Sequence, residues 1–278
     1  MDHADTAERL PGFLRTRDLR SAGWRPRDLR DAVASGRLTR LRQGAYCAVS
    51  TPDDCVAAGR ARGRLACVSE LRRVGVFVLE HSSRHIHVAP EASRLVPAGA
   101  DRVHRDRLLR APHPRALSVE IVDAVRQAVL CQNPRAAIAT IDSALHLGLL
   151  VPDDLDDLFA ALPRRHRRLR ALIDARAKSG PESLLRLILR TIGCRFDVQV
   201  RVSGVGRVDF LVEGWLIIEC DSEAFHSSWE DQKRDRRRDQ AAAAQGLVTY
   251  RPIAEDIMWH PDVVRTAISG LLARRPRG

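Results

Sequence analysis

The sequence predicts an α/β protein, and three observations support this class. Residues 16–34 carry two short helical patterns, and the alternating segment RLTRLRQGAYCAV follows them. The middle of the chain contains a strand-like HIHVAP and long amphipathic helices. The last third changes repeatedly between apolar strands and helices. We place boundaries near residues 50 and 175, which gives segments 1–50, 51–175 and 176–278.

The composition indicates a folded protein with a polyanionic partner. Hydrophobic residues make up 45% of the 278 residues, which is enough for a core in each segment. No apolar run reaches the length of a bilayer-spanning helix, and the N-terminus lacks the apolar region of a secretory signal. The net charge of +11 favours nucleic acid as a partner. We therefore expect a cytoplasmic protein that binds no membrane.

The first segment has the element order of a winged helix-turn-helix. Gly23 can end one short helix, Pro26 opens the next, and a small hairpin follows Gly36. Residues 15–42 include nine arginines and three aspartates, so this segment is strongly basic. Arginine suits DNA phosphates and guanine edges. The candidate DNA-binding residues here are Arg25, Arg27, Arg30, Arg40 and Arg42. The alternative is a solvated helical hairpin that binds nothing.

The middle segment is interpreted as an α/β connector, and its histidines give weak support for a metal site. His81, His85, His87 and His104 alternate along the chain, but no carboxylate or cysteine cluster accompanies them in the sequence. The six cysteines are widely scattered, without the close pairs that are typical of zinc sites. A disulfide framework would need an exporting context. We expect reduced, mostly buried thiols.

The last segment places acidic residues around one hairpin. Its order is α-β-β-β-α-β-α, with Asp209 early on one strand and both Glu219 and Asp221 at the end of the next. Period-two alternation puts Glu219 and Asp221 on one face, and the hairpin brings Asp209 across from them. Glu182, at the start of the preceding helix, can complete the cluster. Converging acidic oxygens suit a hard divalent cation, which can polarise a phosphate and activate water.

A second interpretation of these acids needs no metal. Asp209 and Glu219 would then pair with local arginines such as Arg207 or Arg251.

The pieces PESLLRLIL, VDF, IIECD, FH and KRDRRRDQAAAAQGLVTYR resemble the restriction-endonuclease-like PD-(D/E)XK superfamily. The similarity is to bacterial domains related to the very-short-patch mismatch repair endonuclease. It implies Mg²⁺- or Mn²⁺-dependent hydrolysis of DNA phosphodiesters, in DNA repair or phage defence. It also implies that Glu182, Asp209 and Glu219 are the metal-site carboxylates and that His226 lies beside the site.

Asp221 departs from the family pattern, because the superfamily usually has a lysine at this place. Asp221 is then either a further metal ligand, with His226 as base or phosphate contact, or the mark of a site that binds DNA without cutting it. Lys233 is the nearby candidate for a displaced lysine. The candidate phosphate contacts on the charged helix are Lys233, Arg234, Arg237 and Arg238.

The stretch FLRTRDLRSAGWRPRDLRDAVASGRLTRLRQGAYC resembles the winged-helix domain of abortive-infection type IV antitoxins. Two short helices and a basic G-x-L-x-x-L-x-x-G-x-Y hairpin carry the resemblance, which implies a DNA-binding repressor and leaves a toxin partner or a homodimer open. Two functions remain: a DNA-binding protein with a metal-dependent endonuclease domain, and a transcriptional regulator or antitoxin with an inactive nuclease fold. RNA as the substrate is a third alternative.

Overall fold

The structure is a computed structural model that describes residues 12–92, 101–220 and 229–274. Packing divides the chain into two compact units. The first comprises Met1–Cys131 and Leu150–Pro163, and the second comprises Gln132–Leu149 and Arg164–Gly278. Each unit mixes helices with strands, which confirms the α/β class. The domain limits drawn from the sequence stay a prediction. In the part of the chain that is described, no helix is long and apolar enough to cross a membrane.

The first unit begins with two helices and a small antiparallel sheet of order β1-β3-β2. Its elements are β1 (Leu14–Arg15), α1 (Thr16–Ser21), α2 (Pro26–Ala34), β2 (Leu38–Arg42) and β3 (Ala45–Ala48). Pro26 opens α2, and the side chain of Asp28 accepts a hydrogen bond of 2.8 Å from the Arg25 N–H. Gly36 follows α2 with φ +72°, which turns the chain into the hairpin. The predicted order of helices and hairpin is confirmed.

The rest of the first unit contains a second three-stranded sheet of order β4-β5-β6. Strand β5 pairs antiparallel with β4 and parallel with β6, and α4 packs against α5 and β5. The elements are α3 (Asp53–Arg60), β4 (Arg64–Leu65), α4 (Cys67–Arg73), β5 (His85–His87), β6 (Arg102–His104), α5 (Ile121–Cys131) and α7 (Pro152–Ala161). The intervening helix α6 (Pro134–His146) belongs to the second unit.

The second unit is built on a mixed sheet of order β10-β9-β8-β7, in which β10 and β9 run parallel. The predicted order α-β-β-β-α-β-α is confirmed, and the final helix is divided in two. After α6 come α8 (Arg164–Arg167), a 3₁₀ turn (Arg168–Leu172), α9 (Gly180–Ile192), β7 (Phe196–Val202), β8 (Gly206–Val212), β9 (Leu216–Ile218), α10 (Trp229–Ala244), β10 (Val248–Tyr250), α11 (Ala254–Trp259) and α12 (Pro261–Arg274).

Hairpin geometry positions the acidic residues of this sheet. Strands β8 and β9 are paired with Phe210 opposite Ile218, so Asp209 and Glu219 follow at the same end of the hairpin. Helix α9 begins nearby, where the Ser179 hydroxyl caps it by accepting a hydrogen bond of 3.3 Å from the Glu182 N–H. The predicted placement of Asp209 across the hairpin from Glu219 agrees with this register, although Asp209 lies in the middle of β8 rather than early on it.

Candidate nucleic-acid interface and acidic centre

The winged helix carries an open, basic cleft between α2 and the hairpin. The cleft has a volume of about 500 Å³, and residues of α1, α2, β2 and β3 line it. Arg20, Arg30 and Arg40 lie in its wall with the apolar side chains of Leu29 and Tyr46. Sequence reasoning selected Arg30 and Arg40 and missed Arg20. The available signal was the position of Arg20 in the last turn of α1, next to the start of α2.

The other predicted cations of this segment differ in their surroundings. Arg25 and Arg27 are exposed at the start of α2. Arg27 lies 3.7 Å from Asp31, and both side chains are well exposed, so this contact is weak. Arg42 is half-buried and donates a hydrogen bond to the Gly59 carbonyl. Arg42 therefore has a structural partner and does not belong to the exposed basic surface.

An acidic centre in the second unit joins α9 to β8 through one glutamine. The Nε2 of Gln199 donates to Glu182 Oε2 at 2.9 Å and to Asp209 Oδ1 at 3.1 Å. The other oxygen of Asp209 accepts a hydrogen bond of 3.0 Å from the Cys220 N–H. The structure thus brings two of the predicted acids, Glu182 and Asp209, to either side of one amide.

Glu182 is buried in the first turn of α9. Its carboxylate accepts hydrogen bonds from the Lys178 N–H at 3.0 Å and from the Ser179 hydroxyl at 3.2 Å. Burial raises the pKa of Glu182, and the negative charge of Asp209 raises it further, while the hydrogen bond from Lys178 opposes both effects. A cation between the two carboxylates would relieve this repulsion.

Gln199 has two unusual features for a strand residue. Its φ of +58° lies in the left-handed region, although the flanking pairs Val198–Phe210 and Val200–Val208 keep their register. Its Oε1 is buried and accepts no hydrogen bond in the described structure. An amide oxygen is a hard ligand like a carboxylate oxygen, so Gln199, Glu182 and Asp209 fit the donor chemistry of Mg²⁺ or Mn²⁺. The sequence signal for Gln199 was a polar residue inside FDVQVRV.

Glu219 has a different environment from these two acids. Its carboxylate pairs with Arg238 of α10 at 2.5 Å and with Arg251 at 3.0 Å. Arg251 also donates two hydrogen bonds, of 2.6 and 2.8 Å, to Asp239. The predicted alternative of an arginine pair is therefore confirmed for Glu219. Among the residues that the structure describes, the carboxylate oxygens of Glu182, Asp209 and Glu219 do not all approach within 4.8 Å of one another.

The remaining predicted site residues fall into three groups. Asp221 and His226 lie outside the described residues, and their roles stay predictions. Arg234, Arg236 and Arg237 are exposed on α10, where Arg234 pairs with Asp231 at 3.0 Å and Arg236 lies 5.4 Å from the centre of the Trp229 ring. Lys233 and Arg238 have local partners: Lys233 pairs with Glu230 at 2.5 Å, and Arg238 donates to the Val205 and Arg207 carbonyls at 3.0 and 2.9 Å.

The first unit holds a further cluster that the sequence did not predict. Cys67, His85, His104 and Cys131 each place one potential ligand atom within 4.8 Å of the other three. The expectation that the histidines lack a cysteine cluster is therefore wrong, because chain packing joins residues that are far apart in sequence. None of the six cysteines, all of which the structure describes, forms a disulfide. Half are buried and half are partly exposed, so the expected burial is met only in part.

Comparison with known proteins identifies one region of the chain. Residues 4–49 match a family model described as "Transcriptional regulator, AbiEi antitoxin". No curated protein matches the chain. The antitoxin-like resemblance of the N-terminal segment is therefore confirmed. The endonuclease-like resemblance of the last segment stays a prediction.

Proposed function

We propose that the protein is a DNA-binding transcriptional regulator that contacts DNA through its winged helix. The observation that carries the proposal is the family match over residues 4–49. Exposed arginines of the same segment line one cleft. A guanidinium binds phosphate with two parallel hydrogen bonds, so Arg30 and Arg40 suit the DNA backbone. Arg25 and Arg27 stand at the exposed start of α2, the end that reaches base edges when such a helix enters the major groove. A toxin or a second copy of the chain is the further partner to test.

Fluorescence anisotropy tests this function with a duplex from the promoter of the protein's own gene and with a scrambled duplex of equal length. We expect preferential binding of the promoter that weakens with salt. Arg30→Ala and Arg40→Ala should each lower the affinity about tenfold and reduce the salt slope by about one. Arg107→Ala, at an exposed arginine of the same unit, is the control. Unchanged affinity in the Arg30→Ala/Arg40→Ala double variant would overturn the assignment.

The acidic centre favours a second candidate function, hydrolysis of DNA phosphodiesters by the second unit. We propose that Glu182, Asp209 and Gln199 hold Mg²⁺ or Mn²⁺, which when bound supplies a Lewis acid for a phosphate oxygen. The Cys220 N–H holds Asp209 in place. The exposed arginines of α10 that would contact the DNA backbone are Arg234, Arg236 and Arg237.

Hydrolysis stands second for two reasons. Glu219 is neutralised by two arginines, and Asp221 replaces the lysine of the resembled superfamily. The assay is cleavage of plasmid and mismatched duplex with Mg²⁺ or Mn²⁺. Asp209→Asn and Glu182→Gln should each lower cleavage at least a hundredfold, about 2.7 kcal/mol of barrier, whereas Glu230→Gln on exposed α10 should not. Cleavage that survives Asp209→Asn, or wild-type protein that binds DNA and never cuts it, counts against this function.

A further inference from the structure

Four secondary-structure elements of the first unit meet at the cluster of cysteines and histidines. Cys67 is the first residue of α4, and Cys131 is the last residue of α5. His85 begins β5 and His104 ends the parallel neighbour β6. Helix α4 packs against both α5 and β5. The four side chains therefore come from the main elements of this α/β module, and each element contributes one.

The two separations that involve His104 Nε2 are close to those of a tetrahedral site. His85 Nδ1 and His104 Nε2 lie 3.2 Å apart, and Cys131 Sγ lies 4.0 Å from His104 Nε2. With Zn–N about 2.0–2.1 Å and Zn–S about 2.3 Å, a tetrahedron places two nitrogens about 3.3 Å apart and a nitrogen and a sulfur about 3.6 Å apart. The two histidines already have the required spacing, and the thiol needs a shift of only a few tenths of an ångström.

We propose that Cys67, His85, His104 and Cys131 bind one Zn²⁺ as a closed structural site. Two sulfurs and two imidazole nitrogens exclude Mg²⁺ and Ca²⁺, which need oxygen ligands. Four protein ligands in a tetrahedral arrangement leave no position for a substrate or a catalytic water. The site is therefore chemically distinct from the acidic centre of the other unit, which offers only oxygen donors.

The backbone at Cys67 supports this assignment independently of the side-chain distances. Cys67 has φ +52° in a fully buried position, a conformation that is strained for any residue with a Cβ. Such strain persists only where the surroundings impose it, and it concentrates at functional sites. The conformation starts α4 directly after β4, with the Cys67 thiol among the other three ligands. The Ser69 hydroxyl also accepts a hydrogen bond of 2.8 Å from the His85 N–H, which holds β5 against α4.

A structural zinc would stabilise this part of the chain. The short strands β4, β5 and β6 provide few ladder hydrogen bonds, because each contains two or three residues. A metal that binds one residue from each of α4, β5, β6 and α5 would connect them directly. Because metal binding is coupled to folding at such sites, removal of the zinc is expected to loosen the module.

Metal content and cobalt spectroscopy test the zinc site in the full-length protein. We expect one equivalent of zinc per chain by inductively coupled plasma mass spectrometry. We also expect that Co²⁺ added to the reduced, metal-stripped protein gives intense tetrahedral d–d bands and a sulfur-to-cobalt charge-transfer band. A substoichiometric zinc content together with a six-coordinate cobalt spectrum would overturn the proposal. A Cys67–Cys131 disulfide in the freshly purified protein, detected by thiol counting and peptide mass, would also overturn it.

Substitutions assign the ligands. Cys131→Ser and His104→Asn should each reduce zinc content to near zero, and a chelator that lowers the melting temperature of the wild type should have no further effect on them. Cys194→Ser removes a partly exposed thiol in the other unit and should leave zinc content unchanged. The wild-type cobalt titration still decides the question if Cys131→Ser fails to fold. Full zinc retention in both ligand variants would refute the ligand assignment.

Discussion

The carboxylate of Glu219 forms a partly buried ion pair with Arg251, at 3.0 Å between Oε2 and Nε. Arg238 holds the other oxygen at 2.5 Å, and Arg251 continues the network to Asp239. Because the charges of Arg238 and Arg251 are both paired with Glu219, this acid stabilises the junction of β9, α10 and β10. A metal at Glu219 would have to displace two guanidinium groups, whereas the group between Glu182 and Asp209 is a neutral amide.

Glu219→Ala is expected to lower the free energy of unfolding by about 1–3 kcal/mol, because hydrogen bonds to two charged groups are lost in a partly buried site. The loss should be the same in Mg²⁺ and in chelator, measured by urea unfolding followed by circular dichroism. Glu230→Ala removes an exposed acid of α10 and should change stability by less than about 0.5 kcal/mol. A Mg²⁺-dependent stabilisation of the wild type that disappears in Glu219→Ala would show that Glu219 is a metal ligand instead.

The strained backbone of Gln199 can be measured with a pair of substitutions. Gln199→Gly and Gln199→Ala remove the same side-chain contacts, so their difference reports the backbone conformation. At φ +58°, alanine keeps the Cβ clash that glycine avoids. We expect the glycine variant to be more stable than the alanine variant by about 1 kcal/mol in urea unfolding. At Arg201, which is exposed in the same strand, the alanine variant should instead be more stable than the glycine variant by about 0.5–1 kcal/mol. The same order at both positions would remove the evidence for strain.

Local sequence signals predicted those parts of the fold that depend on neighbours in the chain. Pro26 and Gly36 mark the limits of α2, and the turn between β8 and β9 places Asp209 and Glu219 at one end of a hairpin. These features require only residue preferences and strand periodicity, so no tertiary information was needed.

The missed features depend on packing between distant segments. Arg238 reaches Glu219 because α10 packs against β10, the parallel neighbour of β9. The cluster that contains Cys67 and Cys131 is assembled from four elements whose spacing follows no metal-binding pattern. The left-handed conformation of Gln199 also has no local cause, since its neighbours are ordinary strand residues. Sequence reasoning therefore identified the acids and, in Arg251, one partner of Glu219, but not Arg238 as its second partner or the Gln199 amide between Glu182 and Asp209.

The raised pKa of Glu182 predicts a pH-dependent effect of neutralising this acid. Since burial and Asp209 place the native pKa above the unfolded value, the ionised form destabilises the native state at neutral pH. This cost disappears once the pH falls below the unfolded pKa of about 4.3, where Glu182 is protonated in both states. Glu182→Gln should therefore raise the melting temperature at neutral pH in chelator, with the gain disappearing near pH 4. Differential scanning calorimetry measures it, with the exposed Glu230→Gln as control. An equal rise in melting temperature at neutral pH and near pH 4 would contradict this account.

The buried pair of Arg186 and Asp142 is expected to be the most sensitive charged contact in the second unit. Arg186 donates a hydrogen bond of 2.7 Å to Asp142, and their side chains are 1% and 0% exposed. Burial raises the pKa of Asp142, and the charge of Arg186 opposes this shift. Arg186→Met leaves an unpaired carboxylate in the core and should lower the free energy of unfolding by about 3–5 kcal/mol.

A second substitution separates the lost charge pair from lost packing around Arg186. Asp142→Asn removes the charge and keeps an oxygen for the Asp174 N–H, which donates to Asp142 at 2.8 Å. The double variant Arg186→Met/Asp142→Asn should therefore be more stable than Arg186→Met alone by about 1–3 kcal/mol in urea unfolding. The loss in Arg186→Met should also shrink as the pH falls and Asp142 takes up a proton, because protonation removes the unpaired charge. If the double variant is no more stable than the single variant, the effect of Arg186 comes from its packing rather than from its pairing with Asp142.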